Sequence, residues 1–232
     1  MGTCTLCTCP RLLFAAHKYY RILSSMDVDY TLYLVADVDY AAGRDLVALI
    51  EAAVRGGVTV VQLRAKTLAG RGFVDLAQAV AGVLAGTGVP LIVNDRLDVA
   101  LACGAAGVHL GQDDLPVPLV RRILGPAGTI GVSVNAPHEA RRAERDGADY
   151  VGAGPAFATA TKATDLRVLG PEGIGGIKRA VGIPVVAIGG IGAGNAASIA
   201  AAGADGIAVV SAILGAADAR QAAEDLRKAF KR

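Results

Sequence analysis

The sequence has few aromatic residues, few cysteines and no long apolar run. Aromatic side chains make up 4% of its 232 residues and tryptophan is absent, whereas hydrophobic residues make up 53%. We therefore expect a core of Val, Ile, Leu and Ala, which is typical of buried parallel strands and close-packed helices. No apolar run approaches the roughly 18 residues of a membrane span. The net charge of +2 gives no reason to expect nucleic acid or a membrane surface as a partner.

The cysteines are concentrated near the N-terminus, where Cys4, Cys7 and Cys9 lie, and Cys103 is the fourth. This distribution is not a disulfide framework, so we expect a reducing cytoplasm. Metal binding by the three N-terminal cysteines is disfavoured because further ligands at fixed spacing are missing. Residues 1–29 differ in composition from the rest. We expect them to form a poorly ordered extension, followed by a single catalytic domain over residues 30–232.

Short apolar runs that end in polar residues or glycine recur about every 22 positions along the chain, and each is predicted to be a strand. In order, they are Thr31–Ala36, Val58–Leu63, Pro90–Val93, Gly107–Leu110, Thr129–Val132, Asp149–Ala153, Pro184–Ile188 and Gly206–Val209. The chemically useful side chains lie just after these runs and almost never before them. A fold that gathers the strand ends on one face would bring them together.

Helical patterns separate the strands. They are predicted over Arg44–Arg55, Arg71–Leu84, Leu97–Cys103, Pro116–Leu124, Pro137–Asp146, Pro171–Ala180, Asn195–Ala202 and Ala216–Phe230. Glycine-containing joints of similar sequence connect several helices to the next strand. Strict alternation favours parallel strands with right-handed crossovers. The predicted fold class is α/β, a single-domain (β/α)8 TIM barrel, and an open doubly wound sheet is the alternative.

Three polar side chains alternate at the end of the second strand: Gln62, Arg64 and Lys66. Residues two apart in a strand point to the same side. Two cations and an amide facing a barrel mouth are costly without an anion nearby, so an anionic ligand is predicted. A solvated strand end with outward-facing charges is the alternative.

Carboxylates follow the third and fourth strands, at Asn94-Asp95 and Asp113-Asp114. Mg²⁺ usually takes one or two carboxylates together with water and substrate phosphate oxygens, so a magnesium site is predicted here. Capping of the following helices is a strong competing explanation for one aspartate of each pair. His109, inside the fourth strand, is interpreted as structural.

Two further segments suit phosphate. Gly154–Lys162 combines a turn, two threonines and a lysine, although such loops are common. Gly189-Gly190-Ile191 and Val210-Ser211 follow the seventh and eighth strands, where barrels often bind phosphate, and tight turns are the alternative. The sequence thus predicts an enzyme with two anion regions. Without a nucleophile and base pair, it favours displacement of a leaving group such as diphosphate.

Six segments, in this order, resemble the thiamine-phosphate synthase (thiamine-phosphate pyrophosphorylase) family over about Thr31 to Ala217. They are Val61–Lys66, Val93–Asp95, Gly107–Asp114, Gly131–Ser133, Asp149–Pro155 with Thr159–Lys162, and Ile188–Ile191. The resemblance implies a transferase of thiamine biosynthesis. Aminomethylpyrimidine diphosphate would lose diphosphate to give a pyrimidine methylene cation, which the thiazole phosphate nitrogen attacks. A carboxylated thiazole would also lose CO₂.

The resemblance also implies roles for individual residues, with Mg²⁺ as cofactor and small molecules as partners. Gln62, Arg64, Lys66, Asn94, Ser133 and Lys162 would bind the pyrimidine diphosphate. Of these, Arg64, Lys66, Ser133 and Lys162 would be catalytic. Asp95 and Asp114 would bind Mg²⁺. Thr159, Thr161, Gly190, Val210 and Ser211 would bind the thiazole phosphate.

The sequence departs from the family pattern at Ala158, where proline is usual, and at Asn135, where histidine is common. Asp165 also comes later than the usual acid. These departures concern loop stiffness and closure. A thiazole-phosphate isomerase or tautomerase, or a non-catalytic sensor of thiamine precursors, are the alternative functions. A homo-oligomer, and either the carboxylated or the plain thiazole phosphate as substrate, stay open as alternatives.

Overall fold

The computed structural model describes residues 28–159 and 167–231, and its eight parallel strands form one closed barrel. Each strand pairs with its neighbours in chain order, and β1 closes the barrel on β8. The strands β1 to β8 are Leu32–Asp37, Val60–Arg64, Leu91–Asn94, Gly107–Leu110, Thr129–Val134, Tyr150–Ala153, Val185–Ile188 and Gly206–Val209. The barrel prediction is confirmed, and the strand bounds differ from the predicted runs by at most two residues at either end.

Helices surround the barrel. In the described ranges, α1 to α9 are Leu46–Arg55, Gly70–Leu84, Leu97–Cys103, Val117–Leu124, Pro137–Asp146, Gly170–Lys178, Ala196–Ala201, Ser211–Leu214 and Ala219–Phe230. The short α8 was not predicted, and α9 begins three residues later than expected. Asp218 caps α9 by accepting a hydrogen bond from the Gln221 amide, which fixes its start. No helix in this part of the chain is long and apolar enough to span a membrane.

Two apolar cores lie on the two faces of the sheet. Alternate residues of β1 show the division, since Leu32, Leu34 and Ala36 pack outward against helices whereas Tyr33 and Val35 point into the barrel. The outer core is largely aliphatic, as expected. The expectation was wrong inside the barrel, where Tyr30, Tyr33 and Tyr150 are buried together. A few large rings occupy much of this space. The expectation failed because the overall aromatic content does not indicate where those rings lie.

Two glycines on inward positions make room for these rings. A Cβ atom at Gly131 would lie 2.1 Å from Cζ of Tyr150, and one at Gly152 would lie 3.0 Å from Cε1 of His109. Any larger residue at Gly131 would therefore displace Tyr150. The glycines therefore leave space in the barrel interior for the side chains of Tyr150 and His109.

Candidate active site

A cavity of about 530 Å³ opens at the carboxyl ends of the strands. Every predicted site residue that the structure describes lines this cavity: Gln62, Arg64, Lys66, Asn94, Asp95, Asp114, Ser133, Thr159, Gly190, Val210 and Ser211. Thr161 and Lys162 lie outside the described residues. The strand order around the barrel therefore brings together side chains that are up to about 150 positions apart in the chain.

The two cations of the second strand are paired with carboxylates. Arg64 donates to Asp37, which lies directly opposite it on β1, and Lys66 donates to Asp95. Asp37 also accepts from the backbone amides of Asp39 and Tyr40, at 3.0 and 3.1 Å, so its position is fixed by the turn after β1. The cations are therefore held at the cavity wall with part of their charge balanced. Asp37 was missed because the predicted first strand ended at Ala36.

Asp95 has an uncommon backbone conformation. Its φ is 61°, and it is the one non-glycine residue with a positive φ within residues 28–159 and 167–231. Aspartate tolerates this left-handed region better than most residues, but the conformation still costs energy. The amide of Asp95 donates to the carbonyl oxygen of His109 at 2.9 Å, which holds the residue beside β4. The strained turn carries the carboxylate over the cavity.

Asp114 lies next to Asp95 at the carboxyl end of the barrel. Its Oδ2 accepts from the Gly111 amide at 2.6 Å. Burial raises the pKa of the Asp114 carboxyl, and the neighbouring Asp95 carboxyl raises it further. A second carboxylate beside that of Asp114 makes this a place where a cation is stabilising.

Helix capping does not explain these two aspartates. Arg96 occupies the N-cap of α3 and Pro116 that of α4, and neither cap makes a side-chain hydrogen bond. In the described ranges, no group of three or more His, Cys, Asp or Glu residues could hold a metal ion by itself. A pair of carboxylates nonetheless fits Mg²⁺, which takes its remaining ligands from water and substrate oxygens.

A chain of buried polar side chains crosses the barrel beneath the cavity. Gln62 Nε2 lies 2.9 Å from Tyr33 Oη, which lies 2.7 Å from Tyr150 Oη. Tyr150 Oη lies 2.9 Å from His109 Nδ1, and His109 Nε2 lies 2.9 Å from Ser133 Oγ. His109 was interpreted as structural, and it is buried, but it also lines the cavity and contacts a predicted site residue. Strand alternation could have placed Tyr33 and Tyr150 inside the barrel.

The turn after β7 packs against the loop after β6. Gly189 and Gly190 have φ values of 102° and 62°, and a Cβ at Gly190 would lie 2.5 Å from the Ala158 carbonyl oxygen. Ala156 and Phe157 donate their amides to Ile188 and Gly189, at 2.7 and 2.9 Å. Glycine is therefore required at Gly190 for both conformation and space.

A second cavity of about 560 Å³ adjoins the first at this turn. Thr159, Gly190, Ile191 and Ser211 line both, and the second also includes Tyr40 and Asn195, which were not predicted. Asn195 donates to the Gly190 carbonyl oxygen at 2.9 Å and accepts from the Gly192 amide at 2.9 Å. This side chain shapes the glycine turn, and its signal in the sequence was one asparagine directly after the glycine-rich segment 189–194.

Asn135 stabilises the two ends of the loop after β6. Its Nδ2 donates to the carbonyl oxygens of Gly154 and Arg167, at 2.8 and 3.0 Å. The departure from the family pattern at this position thus places an amide that connects the described flanks of the loop. Asp165 lies outside the described residues.

A family model, two known proteins and one solved structure that are similar to this chain carry related names. A family model described as thiamine monophosphate synthase matches residues 32–213. The chain is 48% identical over 204 residues to a thiamine-phosphate synthase of Syntrophomonas wolfei, covering 88% of this chain and 98% of that protein. It is 52% identical over 200 residues to one of Chloroflexus aurantiacus, covering 86% and 92%. The solved thiamine phosphate pyrophosphorylase of Pyrococcus furiosus is similar with a TM-score of 0.81 and 40% identity, over 88% of this chain and 96% of that one.

Proposed function

Because the chain belongs to the thiamine-phosphate synthase family of transferases, we propose that it joins aminomethylpyrimidine diphosphate to a thiazole phosphate. The C–O bond to the diphosphate breaks, and its electron pair leaves with the diphosphate. The thiazole nitrogen then forms a C–N bond to the pyrimidine methylene carbon, which gives thiamine phosphate. When the thiazole is carboxylated, its carboxylate is lost as CO₂.

The observation that carries this proposal is the division of one cavity into two chemically different walls. Arg64, Lys66, Asp95 and Asp114 line the cavity at the ends of β2, β3 and β4, whereas Gly190 follows β7 on the other side of the barrel. A diphosphate ester and a monophosphate require two such regions. The reaction also requires the two substrates to be close together, which a shared cavity provides.

On the first wall, Arg64 and Lys66 would bind the diphosphate and stabilise the charge that develops on it as the C–O bond breaks. Their carboxylate partners hold them in place before substrate binds. Gln62, Asn94, Ser133 and Lys162 would complete the binding of the pyrimidine diphosphate. Ser133 is suited to this role because its hydroxyl is positioned by His109 at the cavity edge.

Asp95 and Asp114 would hold Mg²⁺. When bound, the ion supplies positive charge that stabilises the leaving diphosphate. The adjacent carboxylates and the raised pKa of Asp114 support this assignment. Lys66, which contacts Asp95, connects the metal site with the diphosphate site.

The monophosphate would bind at the other wall through Thr159, Thr161, Gly190, Val210 and Ser211. The close approach of backbone at Gly190 supports this, since a glycine turn lets amide groups reach phosphate oxygens. The proposed partners are thus small molecules, and we propose the cytoplasm as the compartment because a reducing environment suits the cysteine usage.

The test incubates the protein with both substrates and Mg²⁺ and measures thiamine phosphate by chromatography. We expect product from the parent protein and from Arg55→Ala, which alters an exposed ion pair on α1. Lys66→Ala should lower the rate about tenfold or more, since a charge-assisted contact to the diphosphate is lost. Folded protein that forms no product would contradict the proposal, and binding without turnover would favour a sensor.

A further inference from the structure

The buried polar chain links five side chains from five strands, from Gln62 through Tyr33, Tyr150 and His109 to Ser133. All four contacts have hydrogen-bond length, between 2.7 and 2.9 Å. Gln62, Tyr33, Tyr150 and His109 are each less than 9% exposed. Buried polar networks of this kind are stable when each donor has an acceptor. One order of donors along these five side chains gives every buried hydrogen an acceptor.

The direction follows from the amide end of the chain. Gln62 Nε2 is a donor and cannot accept, so Tyr33 Oη accepts from it. The single hydrogen of Tyr33 is then available for Tyr150, and the single hydrogen of Tyr150 is available for His109 Nδ1. An imidazole that accepts at Nδ1 carries its hydrogen on Nε2, so Nε2 donates to Ser133 Oγ.

We propose that this one-way hydrogen-bond chain holds His109 in its Nε2–H tautomer and thereby makes the Ser133 hydroxyl a donor toward the cavity. Because Ser133 Oγ accepts from His109, its own hydrogen can be directed to an anionic oxygen of the substrate. His109, Tyr150 and Tyr33 are positioning residues that act through Ser133. This inference rests on the proposed function, in which Ser133 contacts the diphosphate.

Two further observations support the hydrogens and the contacts that this hydrogen-bond chain requires. Burial raises the pKa of both Tyr33 and Tyr150 well above the usual range for tyrosine, so each phenol retains the hydrogen that the chain requires. Gly131 and Gly152 keep space for the rings of Tyr150 and His109. The interior is therefore shaped to place these two side chains in contact.

The first measurement is the ¹⁵N spectrum of histidine-labelled protein without substrate. The protein has three histidines, and the His109 signals are those lost in His109→Asn. We expect the pattern of a neutral imidazole protonated at Nε2. Tyr150→Phe should change this pattern toward a mixture of tautomers. Tyr30→Phe is the control. The ring of Tyr30 packs against Tyr150 with centroids 4.7 Å apart, but Tyr30 is not a member of the hydrogen-bond chain. A parent protein protonated at Nδ1 would overturn the inference.

The second measurement is a double-mutant cycle on turnover. Tyr150→Phe should lower kcat about tenfold, because the hydrogen bond from the Ser133 hydroxyl to the charged diphosphate loses its orientation. In a Ser133→Ala background the same change should have little further effect, since the tyrosine acts through the serine. Equal effects in both backgrounds would refute the inference.

Tyr33→Phe provides a second cycle if Tyr150→Phe does not fold. Failure of the proposed function is distinguishable from failure of this inference. A parent protein that makes no thiamine phosphate contradicts the proposed function, whereas the histidine spectrum tests the chain without any substrate.

Discussion

Replacing Gly131 by alanine would place a methyl group where the Tyr150 ring lies. The added Cβ would be 2.1 Å from Cζ and 2.4 Å from Oη of Tyr150, distances that carbon and oxygen atoms cannot adopt without movement. Tyr150 is 1% exposed and packs against Tyr30 and Tyr33, so its ring has little room to move. The substitution must shift either β5 or the tyrosine.

The cost has two parts. Overpacking a filled interior typically costs about 1–3 kcal/mol. Loss of the Tyr150 contacts would leave buried polar groups unpaired, at a further cost of about 1–3 kcal/mol. We therefore expect Gly131→Ala to lower the free energy of unfolding by at least about 2 kcal/mol, and to lower the turnover of folded protein.

The assay is equilibrium unfolding in urea, followed by measurement of thiamine phosphate formation under folding conditions. Gly72→Ala is the matched control, because Gly72 lies in α2 with no atom within 4 Å of its added Cβ. Helix propensity predicts a stabilisation of about 0.5–1 kcal/mol for that variant. If Gly131→Ala were as stable as the parent, the packing argument for the barrel interior would be refuted.

Two further predictions concern charge. The pKa of Asp114 is raised in the folded protein, so the protonated carboxyl stabilises the folded state. This stabilisation is lost as the pH rises through the folded-state pKa. Asp114→Asn should therefore stabilise the metal-free protein relative to the parent at neutral pH and less so in acid, as measured by urea unfolding at several pH values. A pH-independent difference would contradict this. Lys162→Ala should lower turnover by about 10²-fold, the scale of losing a preorganised charge, whereas the exposed Lys228→Ala should not change it. Equal rates for the two would count against the assigned role.

The positions of the strands and of most cavity residues could be predicted because they depend on local pattern. Apolar runs, glycine joints and helical spacing each act over a few residues, and a parallel barrel then places all strand ends on one face. Arg64 and Asp95 followed directly from this reasoning, because each lies at or just after a strand end.

The remaining contacts depend on pairings that no local pattern contains. Asp37 contacts Arg64 because β1 and β2 pair in one particular register. The tyrosine and histidine contacts join β1, β4 and β6 across the barrel interior. Whether Asp95 caps α3 depended on backbone geometry, because its φ is 61° and Arg96 occupies the N-cap position instead. Such features arise only when the barrel closes.

The measurement that tests the central claim most directly is the KM for each substrate in two variants. Lys66→Ala should raise the KM for the pyrimidine diphosphate about tenfold and leave that for the thiazole phosphate nearly unchanged. Gly190→Ala, whose added Cβ would lie 2.5 Å from the Ala158 carbonyl oxygen, should do the reverse. If both variants changed the same KM, the cavity would not be divided between two substrates as we propose.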